Sequence, residues 1–390
     1  MDHVRFGVIG LGNMGSFHAK SLQGTANAKL AAVCSPFPGE TEWASQKFGV
    51  PGFTSTKELF AAGVIDALLI ATPHMQHAEI AVAALDAGIH VLCEKPIAVT
   101  IRDARRVNAA AANHPQLKFG IMFQQRTLPL YRTLRQILAE GSLGEISRIT
   151  WLVTDWFRTW AYYASGGWRA TWAGEGGGVL INQCPHNLDL IQWITGLSPS
   201  RVTAVAAIGK THPIEVEDEV SAILEYPNGA IGHFVTTTGE APGTNRLEIC
   251  TDRGKLIAEN GKLVLHETAQ SVRAVRETST ESFAQIPATL KEIAIPAGSS
   301  EGHQIITQNF VNAIRHGEPL IAPGEDGAAA LELGNAMQMA GLTRKAVELP
   351  LDADAFDRFL ADMTARYGGK KALKTVESGP ADMSSSFRAP

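Results

Sequence analysis

A chain of 390 residues is longer than one ordinary domain, and a composition of 45% hydrophobic and 19% charged residues can bury more than one core. A net charge of −5 speaks against nucleic acid or an anionic membrane surface as a general partner, and no apolar stretch approaches membrane-spanning length. The four cysteines, Cys34, Cys93, Cys184 and Cys250, have no C-x-x-C spacing, so they read as reduced thiols and offer no metal framework. The opening MDHVRFGVIG carries an apolar run too short for a signal peptide, so a cytoplasmic protein without a bound metal is expected.

The first third alternates short apolar runs with helical patterns. Strands are predicted at 4–9, 29–34, 66–71, 89–93 and 117–122, with helices after the first and at 75–87 and 100–112. Such alternation gives right-handed crossovers and a parallel sheet, here assigned to a dinucleotide-binding domain over 1–123. After the first strand comes GLGNMG, a G-x-G-x-x-G turn formed by Gly10, Gly12 and Gly15. Its glycines allow a tight turn and close approach of a pyrophosphate to the helix N-terminus, with Asn13 and Met14 completing the loop. The second strand ends at Ser35, with no acid for a ribose diol and no cation for a 2'-phosphate. The missing cation favours NAD and leaves NADP open.

The fourth strand runs into HVLCEKP. Lys95 there is either a solvated strand end or a positioned acid. Ligands of open parallel sheets bind beyond the carboxyl ends of strands, where Glu94 and Lys95 lie. Ala71, Thr72, Pro73 and His74 close the third strand on the same edge. With His77 and Gln124 nearby, they complete the candidate cofactor contacts.

Beyond residue 124 the pattern changes. A helix at 129–139 leads into alternating runs at 145–155, 201–208, 216–226, 230–238, 246–251 and 254–258, with helices again at 303–316 and 325–345. Alternation with close turns indicates an antiparallel or mixed sheet in a second domain over 124–350. Residues 351–390, ending GPADMSSSFRAP, read as an extension with a loosely held tail.

Four stretches together, GLGNMG, ATPHMQHAEIAVAALDAGIHVLCEKP, FGIMFQQRTLPLYR and GEGGGVLINQCPHNLDLIQW, resemble the Gfo/Idh/MocA oxidoreductases. That family includes glucose–fructose oxidoreductase and inositol dehydrogenases, and the likeness runs to about residue 350. It implies an α/β chain in which a Rossmann dinucleotide-binding domain precedes an α+β domain. The second domain would carry a large open, mostly antiparallel sheet that binds polyols and mediates assembly, here into a homodimer or homotetramer. It also implies a tightly held nicotinamide cofactor, with Lys95 hydrogen-bonding the reacting oxygen. The family's second signature, Asp-x-x-x-His, falls on Asn182 and His186. His186 would exchange the hydroxyl proton, or else merely pack on the helix that follows. An asparagine cannot give an imidazolium full ionic stabilisation, so Glu175 or the substrate would have to supply charge.

The stretch TDWFRTWAYYASGGWRATWAGEGGG lacks a clean period and reads as a long loop over the site. Its substrate candidates are Arg158, Trp160, Tyr163, Trp168 and Arg169, beside Lys95, Asn182 and His186. Indole faces suit sugar C–H faces, and two arginines suit an acidic substituent, although about half of such aromatics line cores or subunit interfaces instead. The leading expectation is an NAD(P)-dependent oxidoreductase moving a hydride to or from a secondary hydroxyl of a sugar, glycoside or inositol. A second is an NAD-dependent glycoside hydrolase working by transient oxidation, elimination, water addition and re-reduction, with Tyr162 or Tyr163 as the extra base. A third is a non-enzymatic dinucleotide sensor.

Overall fold

Strand β1 (Val4–Ile9) is buried everywhere except at Arg5, as a strand covered on both faces requires. In the computed structural model, which describes residues 2–298 and 301–368, it lies at the centre of a parallel sheet. The others are β2 (Ala28–Cys34), β3 (Gly52–Phe53), β4 (Ala67–Ile70), β5 (His90–Cys93) and β6 (Phe119–Ile121), in the order β3-β2-β1-β4-β5-β6. That is the Rossmann order, whose ligand crevice opens beyond the ends of β1 and β4 where the winding reverses. The sequence does not announce β3, because two residues are too few to show a period. It also leaves unmarked the helices Pro38–Phe48 and Thr56–Ala61.

The second sheet has nine strands: β7 (Ile146–Val153), β8 (Arg201–Ile208), β9 (Glu217–Glu225), β10 (Ile231–Thr237), β11 (Asn245–Thr251), β12 (Gly254–Glu259), β13 (Lys262–Thr268), β14 (Ala288–Ile293) and β15 (Val347–Glu348). Their order is β14-β13-β12-β11-β7-β10-β9-β8-β15, and every pairing is antiparallel except the parallel pair β7–β10. Burial alternates along β7 and β10, so one face is core and the other is not. Trp151 and Phe234 point inward, and helix Asp326–Thr343 lies across β8 and β9 on that side. On the opposite face Val205, Ile223 and Ile231 are about half exposed.

Two segments near the end of the chain return to the first sheet. Helix Gly302–His316 sets Phe310 against Phe6, with ring centroids 6.3 Å apart. The following loop then runs beside β6: Ile121 N–H donates to Ala322 O at 3.1 Å, and Gly324 N–H to Phe119 O at 2.9 Å. Inside the expected extension, helix Ala353–Tyr367 buries Phe356, Phe359, Leu360 and Met363 and packs on helix Ile101–Asn113. The GPADMSSSFRAP tail lies outside the described residues. Among those described, all four cysteines are free thiols, and no helix is long and apolar enough to cross a membrane.

Candidate active site

The glycine turn is built for close backbone approach. Gly10 has φ +84°, and a Cβ on Gly15 would lie 1.7 Å from the Gly10 carbonyl oxygen, so neither position admits a side chain. A Cβ on Gly12 would meet nothing within 4 Å, so that side of the loop is open. Asn13 and Met14 begin helix Asn13–Ser21, whose first turn carries no acid and whose N-cap has no side-chain hydrogen bond. Its leading N–H groups are thus available to an anion, and the donor set fits a dinucleotide pyrophosphate.

At the end of β2, Ser35 is not free. Its hydroxyl donates at 2.7 Å to Glu40, in the first turn of helix Pro38–Phe48. A carboxylate therefore does stand beside the end of β2, brought by Glu40, five residues on.

Beyond β4, Ala71, Thr72, Pro73 and His74 form the second wall of the crevice. Thr72 Oγ1 and His74 Nδ1 are both buried without a partner. Burial, with His77, Lys95 and Arg169 nearby, pushes the His74 imidazole well below its ordinary value, so it is neutral at pH 7. His77 departs from the expectation of a cofactor contact. Its two ring nitrogens lie 2.7 Å from Pro96 O and 2.8 Å from Thr72 O, so it clamps the two strand-end turns together.

Lys95 follows β5 and is partly buried, its Nζ donating at 2.8 Å to the main-chain carbonyl of Asn182. Burial pushes its ammonium down, Arg169 and Arg158 add to this, and Glu94 and Glu175 oppose it. Both oxygens of the Glu94 carboxylate are engaged. One carboxylate oxygen lies 2.7 Å from His18 Nε2 and the other accepts the Lys95 N–H at 3.2 Å. Burial alone would raise this carboxyl, but His18, His303 and Lys95 outweigh it and hold the group at about 2. Glu94 is thus a fixed anion next to the lysine in sequence, tied to the glycine-loop helix.

His186 lies in helix Pro185–Thr195 and is buried, its imidazole pushed well below 6.5 by burial first and by Lys95 next. The Gln124 amide nitrogen is 3.1 Å from His186 Nε2, while Gln124 Oε1 and His186 Nδ1 are both without partners. Turning the amide over would give its oxygen to a protonated Nε2 and leave Nδ1 with a free lone pair, with the same single hydrogen bond between the two side chains. Gln124 therefore orients His186, and Asn182 does not. Three residues on from His186, Asp189 is buried in a two-pronged pair with Arg126, at 2.5 and 2.8 Å.

The side chain of Asn182 turns instead to Glu175. Its amide donates to Glu175 Oε1, and its oxygen accepts from the Tyr162 hydroxyl at 3.3 Å. Tyr162 in turn accepts from Arg169 at 2.7 Å and from Gln183 at 3.1 Å. Glu175 and Gln183, like Glu40 and His18, lie outside the residues that the motifs mark as ligand contacts. For Glu175 the sequence does offer a signal, the acid missing at position 182, which calls for charge from elsewhere.

The aromatic stretch divides. Trp168 reaches the cofactor edge, its ring 5.3 Å from that of His74, with the Arg169 guanidinium over it at 4.7 Å. Arg158 and Arg169 both lie over the Tyr162 ring, at 5.1 and 4.5 Å. Trp160 stands 59% exposed at the start of helix Trp160–Ala164. Tyr163 is withdrawn: its hydroxyl donates to Thr238 at 2.9 Å, and its ring packs on His212. The tyrosine at the site is its neighbour, because adjacent helical residues point about 100° apart. No group of three or more metal-binding side chains is gathered among the described residues.

Residues 4–120 match the oxidoreductase family with an NAD-binding Rossmann fold, and residues 131–257 match the GFO/IDH/MocA C-terminal domain. The chain is 29% identical to inositol 2-dehydrogenase of Rhizobium meliloti (strain 1021) over 339 residues, 85% of this chain and 95% of that protein. It is also 29% identical to 1,5-anhydro-D-fructose reductase of Ensifer adhaerens over 300 residues, 76% of this chain and 83% of that protein. The WlbA dehydrogenase from Bordetella pertussis, solved with NADH and UDP-GlcNAcA, has a TM-score of 0.74 at 26% identity, covering 90% of this chain and 100% of that one. With both its domain types matched, and with the Rossmann order and glycine cradle described above, this chain belongs to the Gfo/Idh/MocA family and is an NAD-binding oxidoreductase.

Proposed function

We propose that this protein is a cytoplasmic NAD-dependent dehydrogenase acting on a secondary hydroxyl of a sugar, glycoside or inositol, preferably one bearing an acidic group. The observation that carries this reading is the gathering of Lys95, His186 and an arginine-bearing aromatic loop at one edge of the crevice. Inositol 2-dehydrogenase and 1,5-anhydro-D-fructose reductase, the relatives described above, act on substrates of that kind by name.

Bound NAD supplies the hydride acceptor. Lys95, fixed by the Asn182 carbonyl, donates to the substrate oxygen and stabilises charge that develops there. His186 is neutral at pH 7, and in the tautomer with Nε2 protonated against the Gln124 oxygen its Nδ1 can take the hydroxyl proton. Buried donors without partners, Arg158 Nε, Arg169 Nε and Trp156 Nε1, suit an anionic substituent.

A panel containing myo-inositol, D-glucose, D-glucuronate and a chromogenic glycoside, scored for NADH and for released aglycone, tests the reading. Net NADH from a polyol supports it. Aglycone release without net NADH replaces it with the redox-neutral glycosidase, for which Tyr162 is the tyrosine in place. Arg158→Ala or Arg169→Ala should raise KM for an acidic substrate about ten- to a hundred-fold, as expected for a charge-assisted hydrogen bond of about 1.5–3 kcal/mol. Equal turnover of D-glucose and D-glucuronate by the wild type would remove the acidic preference. Assembly through the uncovered face of the second sheet, as a homodimer or homotetramer, belongs to the same proposal.

A further inference from the structure

Position 182 holds an amide where the family's second signature has an acid, and the structure shows where the charge has gone. Glu175 is 1% exposed. Its Oε1 accepts from the Asn182 amide, its Oε2 accepts from Ala170 N–H at 2.6 Å, and Arg169 lies 3.6 Å away. Ala170 is held at φ +58°, a conformation disfavoured for a residue with a Cβ, so this carboxylate also organises the backbone that carries Arg169. Lys95 and Glu175 grip the same residue from two sides, one by its main-chain carbonyl and the other by its side-chain amide.

We infer that Glu175 is the counter-charge of Lys95 and a positioning residue for its ammonium, in place of an acid at position 182. The functional weight of this inference rests on the dehydrogenase reading above. The exchange has a physical reason. A carboxylate at 182 would meet that of Glu175 within hydrogen-bond distance, and two such groups cannot both stay ionised. An amide there donates to Glu175 instead, so Asn182 and Glu175 form one coupled choice.

The carboxylate also acts on a particular partner. Charges and titratable groups facing Lys95 come from every surrounding element: Glu94 from its own turn, His74 and His77 from the turn after β4, Cys184 and His186 from the 182–186 segment, His303 from the returning helix, and Arg158, Arg169 and Glu175 from the aromatic loop. Glu94 is already committed to His18; on the other side burial pushes the Glu175 carboxyl up, and Arg169, the Ala170 N–H, the Asn182 amide and Lys95 draw it back towards the ionised form. Glu175 acts on Lys95, whereas the groups acting on His186 are Lys95, Glu94 and His303.

The test is a pH titration of the full chain carrying 13Cε-labelled lysine, followed by NMR, with the Lys95 resonance assigned by its loss in Lys95→Arg. Glu175→Gln should lower the Lys95 midpoint by about 1 unit, the low end of the usual effect of a nearby opposite charge. Adding Asn182→Asp to that variant should bring the midpoint back towards the wild-type value. Arg169→Gln should raise it. An unmoved midpoint in a natively folded Glu175→Gln overturns the inference. Should that variant not fold, an unmoved or lowered midpoint in Arg169→Gln overturns it equally. The titration needs no substrate, so a chain that oxidises nothing on the polyol panel strikes the dehydrogenase reading alone.

Discussion

The ammonium of Lys95 hangs from the end of a strand buried on both faces, so backbone rather than loop flexibility fixes where it acts. Lys95→Ala should lower kcat by about 10²–10⁴, the size of an acid–base or oxyanion contribution, while NAD binding stays within a few-fold because the glycine turn is untouched. His186→Ala should show a similar loss, and the double variant should lose less than the product of the two, since both serve one proton path. Steady-state kinetics with fluorescence titration of NAD checks this, and near-native turnover of Lys95→Ala would make the lysine a solvated strand end. At the end of β2, Glu40 holds a carboxylate against Ser35, and a negative charge there would oppose a 2'-phosphate. Glu40→Gln should tighten NADP by about tenfold, or about 1.4 kcal/mol, with NAD little changed; parallel titrations of the two dinucleotides decide it. The positions of Gly10, Gly15 and Lys95 were legible in the sequence because spacing from a strand end places them. Glu40 was not, because its carboxylate arrives from the start of a helix. Nor was the choice between Tyr162 and Tyr163, since the phase of a five-residue helix is set by what it packs on.

Elements with a full period were legible, and the misses have reasons. Strand β14 (ATLKEI) is an edge strand exposed along nearly its whole length, so no buried face imposes alternation on it. Helix Ala353–Tyr367 does keep helical spacing at Phe356, Phe359, Leu360 and Met363, but the tail-like composition that follows masks it. Strand β9 carries a liability at its first residue. Glu217 is fully buried, its Oε1 accepting from Leu180 N–H and Gln338 at 3.3 Å while its Oε2 has no partner. Burial pushes its carboxyl up to about 7 against the ordinary 4.5. The folded state therefore binds a proton that the unfolded chain has released between those values, and stability falls as pH rises through that window. The span corresponds to about 3 kcal/mol, as an upper figure. Glu217→Gln should raise Tm at pH 8 and change it little at pH 4; thermal melts at both pH values check the sign, and an equal effect at the two would refute it.

At the scale of the molecule, the uncovered face of the second sheet sets Val205, Ile223 and Ile231 among charged neighbours such as Arg148 and Glu248. If that face joins copies of the chain, Ile223→Lys should shift the protein towards monomer in sedimentation velocity without altering the melting of the first sheet. An unchanged oligomer would place the contact elsewhere. The returning segment has a different consequence, one that concerns time. Strand β6 has its outer edge covered by residues 322–324, and Phe6 has its partner in Phe310. On a ribosome adding about 5–20 residues per second, residue 324 follows residue 121 by about 10–40 s. Throughout that interval the dinucleotide cradle exists as a sheet with one bare edge and a gap beside its central strand. A nascent chain stalled after residue 290 should accordingly bind NAD poorly and be cut readily by protease near β6, and release of the last quarter of the chain should restore both properties at once.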